Sequence, residues 1–151
     1  MTGLNLSDAH PGPKSGHFSL KVFRGGELID VIDEPNLIVD GSKQAHARLI
    51  GGDVANRSIT QIAFGTSGTA PASGNTAITG AFTKDIDGVS YPASNQVSFE
   101  FSLLSAENNG MAIMEFGLLT EGGVLYARKV RASALNKDTD LSFSGAWTIT
   151  F

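Results

Sequence analysis

The sequence predicts an all-β fold: an antiparallel β-sandwich, for which a jelly roll is one available topology, with one short helix and an extended N-terminal arm. Three observations predict it. Apolar residues recur at every second position in several short runs, the period of a half-buried strand. Glycine is frequent, 18 of 151 residues against a norm of about 7%, and it falls mostly between those runs. Charged residues make up only 17%, below the usual level of about 25%, which suits covered faces.

The elements follow in order. Residues 1–16 carry Pro11, Pro13, Gly3, Gly12 and Gly16 with almost no periodicity, and read as an arm outside the core. Two readings stay open for it: a loose terminus, or an arm that orders against a neighbouring subunit through Leu4, Leu6, His10, Pro11 and Pro13. The body, residues 17–151, reads as a single domain. Phe18, Leu20 and Val22 alternate with Ser19 and Lys21, Gly25-Gly26 supplies a hairpin turn, and residues 27–32 return as its second strand. A short apolar segment, 36–39, leads to a helix over 42–50. Asp40 or Ser42 can cap that helix, Arg48 suits its negative end, and Gly51-Gly52 stops it.

After the helix the pattern is β throughout. Residues 59–64 read as a strand, 65–75 as a loop, and 76–86 as a strand interrupted by Gly80. Asp87-Gly88 is a turn signal, and 89–91 resumes before Pro92. Residues 96–103 form the clearest strand, with Val97, Phe99, Phe101 and Leu103 on one face. The run 111–120 is apolar almost throughout and reads as a strand buried on both faces. Residues 124–130 form its hairpin partner, and 131–140 read as a polar loop. The last strand, 141–151, sets Leu141, Phe143, Trp147, Ile149 and Phe151 on one side. Gly145 shares that face and leaves room for a bend or for a neighbour's side chain.

Composition excludes several functions. There is no cysteine, so there is no disulfide, thiolate metal site or cysteine nucleophile. A net charge of −4 gives no whole-surface attraction to nucleic acid or anionic lipid. No apolar run is long enough to span a membrane, and the first residues lack both the basic region and the apolar core of a secretory signal. His10, His17 and His46 have no metal-ligand spacing. Gly65-Thr66-Ser67-Gly68 fails as a nucleophile elbow, because Thr69 stands where the closing glycine belongs. It also lacks the lysine of a phosphate cradle. The pairs Asp85/Asp87 and Asp138/Asp140 lack the further ligands of a calcium loop and read as turn residues. The sequon at Asn56 reads as coincidence without an export signal.

Two features remain. Arg128, Lys129 and Arg131 are the densest basic cluster and a candidate contact surface for an acidic partner, or simply a solvated strand face. Glu115 sits inside the apolar run MAIMEFGLL, so a buried position requires a partner, for which Arg128 on the returning strand is the candidate. Glu115 is thus read as a structural buried charge. Catalytic, metal and cofactor sites are all read as none.

Four segments carry a resemblance: NLIVDGSKQAHARLIGG (36–52), ITQIAFGTSGTAPASGNTAIT (59–79), MEFGLLTEGGVLYARK (114–129) and AWTITF (146–151). Their order resembles tailed-bacteriophage virion proteins, namely attachment domains of tail fibres and small tail, baseplate and capsid-associated proteins. The shared pattern is a helix, an I-x-x-I-x-x-G-x-G-x-x-x-P strand and loop, a T-x-L step, and E-x-G-L followed by G-x-L-x-A-R. In this sequence the T-x-L step is Thr76-Ala77-Ile78, and the first loop departs slightly at Gly65-Thr66-Ser67-Gly68. The resemblance implies a non-enzymatic structural protein of the virion, assembled in the bacterial host. It would be homo-oligomeric and in contact with other phage virion proteins, with no nucleic-acid, membrane or small-molecule partner and no cofactor. Because no fibre shaft follows position 151, a stand-alone tail or baseplate component is expected rather than a receptor-binding fibre. A capsid cement protein is the alternative. A carbohydrate-binding module is the third reading; it needs an exposed aromatic such as Trp147, whose alternation instead predicts burial.

Overall fold

The computed structural model describes residues 15–53, 55 and 58–151. The candidate arm contacts Leu4, Leu6, His10, Pro11 and Pro13, and the sequon residue Asn56, lie outside the described residues.

Among the described residues, nine strands and one helix follow one another as β1 (Ser15–Arg24), β2 (Glu27–Ile38), α1 (Gly41–Ile50), β3 (Ile59–Gly65), β4 (Phe82–Asp85), β5 (Gly88–Ser90), β6 (Gln96–Leu103), β7 (Ala112–Thr120), β8 (Leu125–Asn136) and β9 (Leu141–Thr150). All strand pairings are antiparallel, in the order β4-β3-β7-β8-β2-β1-β9-β6-β5. This corrects the expected sandwich. The strands form one sheet curled into a half-barrel, because β2 belongs to both groups that a sandwich would separate. It pairs with β1 along most of its length and passes to β8 at Leu37 and Ile38.

The two edge strands are neighbours in the chain, separated only by Ile86 and Asp87. Ile86 N–H bonds to Thr60 O at 3.0 Å on one side, and Asp87 N–H to Glu100 O at 2.7 Å on the other. A single bent segment therefore ties the first and last strands together and holds the curl.

The inner face is the core. Phe18, Leu20 and Val22 from β1 meet Phe99, Phe101 and Leu103 from β6, Phe143 and Trp147 from β9, and Phe64, Phe116 and Leu118 from β3 and β7. The expected β1–β2 hairpin forms, with Gly25 and Gly26 both at positive φ, 57° and 83°, where other residues would be strained. At Gly145 an added Cβ would lie 2.5 Å from Phe101 Cζ and 2.5 Å from Ser19 O, so the missing side chain is what lets β1, β6 and β9 close up.

Several local expectations need correcting. The segment 76–86 is a strand only over Phe82–Asp85. Residues 131–136 are not loop: β8 continues to Asn136, because backbone pairing with Ala112 and Ile113 holds the strand's end and Leu135 packs on the core, while most of the other side chains are exposed. Asp40 makes no side-chain cap to α1 and instead faces Lys43 at 3.3 Å. Ser42 and Ala45 form the buried side of the helix, whereas Leu49 and Ile50 are exposed. Beyond β8, Lys137 is buried, donating to Ser105 O at 3.0 Å, Asn109 Oδ1 at 2.7 Å and Asp138 O at 3.0 Å. Burial lowers its pKa, against the opposing charges of Asp138, Glu107 and Asp140.

Candidate functional site

β7 is covered on both faces, as its unbroken apolar run requires. One side packs into the half-barrel core, and Ile78, Leu125 and Ala63 form a second cluster on the other. Glu115 lies within this double burial and is fully inaccessible. Its Oε2 accepts from Arg128 Nε at 2.8 Å, and its Oε1 accepts from Thr79 N–H at 2.7 Å and Ser67 N–H at 3.2 Å. Arg128 also donates to Asn75 Oδ1 at 3.0 Å and Ser67 O at 3.4 Å. A buried charge pair is tolerable only when the remaining donors and acceptors are met in this way. The β7–β8 hairpin sets the pair on a diagonal across the two strands, with Glu115 in register with Val130 and Gly117 with Arg128.

This centre joins two of the four segments, 59–79 and 114–129. A Cβ at Gly65 would lie 2.6 Å from Glu115 Oε1 and 2.7 Å from Thr79 O, so only glycine admits the carboxylate there. A Cβ at Gly117 would lie 2.6 Å from Ile78 Cγ1, so this glycine admits the side chain that covers β7. The loop glycine, the T-x-L step, the E-x-G-L strand and the A-R pair thus meet at one point and tie the 65–79 loop onto the hairpin. Reading the loop by itself missed Gly65, Ser67, Asn75 and Thr79. The signal for them was the lone acid inside an apolar run, which demanded donors from somewhere.

The basic cluster is not one surface. Arg128 is inside, which removes it from any contact patch. Lys129 donates to Glu34 at 2.5 Å and Pro35 O at 3.2 Å, and Arg131 faces Asp30 at 3.8 Å. The Lys129 ammonium bonded to Glu34 holds that carboxyl below its ordinary pKa. Trp147 is also inside, at 0% exposure, edge-on to Phe18 with ring centroids 5.0 Å apart. Sugar stacking on Trp147 is therefore excluded.

What remains exposed and apolar falls mainly in two places. The first is the β1–β2 hairpin. A bulge leaves Ile29 unpaired between the pairs Val22–Asp30 and Phe23–Leu28, which turns Leu28 onto the same face as Phe23 and Val31, away from the core. Leu28 and Val31 are each 52% exposed, and Ile29 is similarly open. The outer edge of β2 over residues 27–35 has no backbone partner among the described residues, because β8 diverges after Leu37 and Ile38 and only side chains bridge the gap.

The second is a cleft of about 640 Å³ at one end of the half-barrel, between α1 and the ends of β6, β8 and β9. His46 and Tyr126 share a hydrogen bond of 2.8 Å on its wall. Burial lowers the His46 pKa and raises that of Tyr126, so both stay neutral near pH 7. Leu49, Val89, Tyr91 and Phe151 stand around its opening, all substantially exposed.

The chain matches no protein-family model, no curated protein and no solved structure.

Proposed function

We propose that this chain is a non-enzymatic structural protein of a tailed-bacteriophage particle, a tail, baseplate or fibre-attachment component that works through repeated contacts between copies. The observation that carries the reading is the outward-turned apolar tip of the β1–β2 hairpin beside an unpaired strand edge. Such an edge is a ready template for another chain, and soluble proteins ordinarily blunt it. Here two of the four acids along β2 face cations, Glu34 facing Lys129 and Asp30 facing Arg131, and Asp33 shares a hydrogen bond with His17. A second copy can therefore approach this edge without strong like-charge repulsion, and it is the occupant we assign. The four-segment resemblance to virion proteins supports the setting, and repetition around a symmetric particle multiplies weak contacts.

Two measurements test this. In solution, Leu28→Lys with Val31→Lys lowers the mass of the purified protein to that of the monomer while thermal stability is retained, since both side chains are exposed. An unchanged oligomer removes the hairpin from the contact. In particles, a labelled copy appears at the tail tip in negative stain. Label over the head assigns the chain to the shell as cement, and intact particles lacking the chain overturn the reading.

A further inference from the structure

The turn between β6 and β7 holds the one Asn-Gly pair in the sequence, Asn109-Gly110, and a buried lysine grips it. Glycine after asparagine leaves its amide nitrogen unhindered, so that nitrogen can reach the asparagine side-chain carbonyl carbon and expel ammonia. Asparagine is thermally labile in part for this reason. Here Lys137 holds both reacting groups. Its Nζ donates to Asn109 Oδ1 at 2.7 Å, and its main-chain oxygen accepts from Gly110 N–H at 2.9 Å. A further bond, from Lys137 N–H to Met111 O at 2.9 Å, closes the far side of the turn. Asn109 and Gly110 are themselves exposed, so water reaches them.

The lysine has an unmet need of its own. It is 2% exposed, and its Nζ meets three neutral oxygens, Ser105 O, Asn109 Oδ1 and Asp138 O. The carboxylates of Asp138, Glu107 and Asp140 act on it only through space, and Glu107 is engaged by Lys84 at 2.7 Å. A buried cation gains most from an anionic acceptor bonded directly to it. The acceptor that chemistry can make anionic is the side chain of Asn109.

We propose that Asn109 is a deamidation site, which Lys137 guards while it is an amide and captures once it is a carboxylate. The Gly110 nitrogen attacks Asn109 Cγ. The N–Cγ bond forms, the Cγ–Nδ2 bond breaks, and Nδ2 leaves as ammonia with the Gly110 proton. Solvent water then opens the cyclic imide, giving aspartate, or isoaspartate where it opens at the other carbonyl. In the closed turn the Gly110 N–H is committed to Lys137 O, so reaction waits on local opening. Loss of ammonia makes the change one-way. The aspartate product then supplies the counter-charge that Lys137 lacks and pins the end of β8 to the β6–β7 turn. None of this depends on how copies assemble or where the protein sits in a particle.

The test keeps the full-length protein in mildly alkaline buffer and follows the amide-to-acid mass change at each asparagine by peptide mapping. Emission from Trp147, the sole tryptophan, reports folding. Asn109 converts at least about tenfold more slowly in the folded parent than in the parent unfolded in urea, because only the opened turn reacts. Lys137→Met raises the folded-state rate at Asn109 by at least about tenfold, the loss of one charged hydrogen bond, and leaves Asn75 and Asn95 unchanged. Asn109→Asp moves the urea midpoint upward. A folded Lys137→Met that converts no faster than the parent overturns the proposal. Should that variant lose its Trp147 signal, the two states of the parent decide, and equal rates at Asn109 overturn it. An Asn109 that persists in the unfolded parent is no deamidation site, and a lowered midpoint for Asn109→Asp overturns the capture.

Discussion

Removing the partner of the buried carboxylate is the sharpest perturbation of this fold. In Arg128→Met the guanidinium that meets Glu115 Oε2 at 2.8 Å is lost, along with its bonds to Asn75 and Ser67. Glu115 keeps only two backbone donors, Thr79 N–H at 2.7 Å and Ser67 N–H at 3.2 Å, in a site with no solvent access. Breaking a buried pair by deleting one member costs about 3–5 kcal/mol, since an uncompensated charge stays inside. For a chain of this size that corresponds to a fall in Tm of roughly 6–20 °C. Glu115→Gln, which strands the guanidinium instead, falls in the same range. The double variant recovers part of the loss, because the pair is then absent rather than broken. The assay is urea unfolding followed by emission from Trp147. Single-variant losses below about 1 kcal/mol, the level of an exposed ion pair, would refute the reasoning by showing that water reaches the site.

Two further outcomes follow from the packing and the titration of the cleft. Gly145→Ala destabilises by about 1–3 kcal/mol, because the new methyl meets the Ser19 carbonyl, which no rotamer change can move. Gly74→Ala, with open space around its Cβ position, stays within about 0.5 kcal/mol of the parent in the same urea titration. His46, whose pKa is lowered by burial, contributes stability that is fully present above 6.5 and is lost as pH falls from there through its folded value. The parent therefore loses stability relative to His46→Leu when unfolding is measured below that pH, and a parent that gains on the variant on acidification would contradict the assignment.

The legibility of the fold differs from element to element. The alternation in β1, β6 and β9 and the Gly25-Gly26 turn were readable because period-two burial and positive φ leave local marks. The charge inside β7 was readable for the same reason: an acid among apolar residues is a local contradiction that demands a partner. The end of β8 was not, since Arg131, Ser133 and Asn136 look like loop and the strand is carried there only by the pairing of Leu135 and Asn136 with β7. Nor could the sequence show that Arg128 faces inward while Lys129 and Arg131 face Glu34 and Asp30, since neighbouring basic residues look alike until a sheet assigns them sides.

By itself, the sequence determined that this is a β protein with one short helix, that its hairpins turn at glycines, and that Glu115 requires a companion. These follow from backbone sterics and from the cost of dehydrating a charge, both of which act on a few neighbouring residues. Tertiary structure alone decided that the strands make one curled sheet instead of two stacked ones. That outcome depends on β2 changing partners from β1 to β8 and on Ile86 and Asp87 bridging strands at opposite ends of the sheet order. It also decided which apolar residues were left outside, because exposure is a property of what the rest of the chain fails to cover.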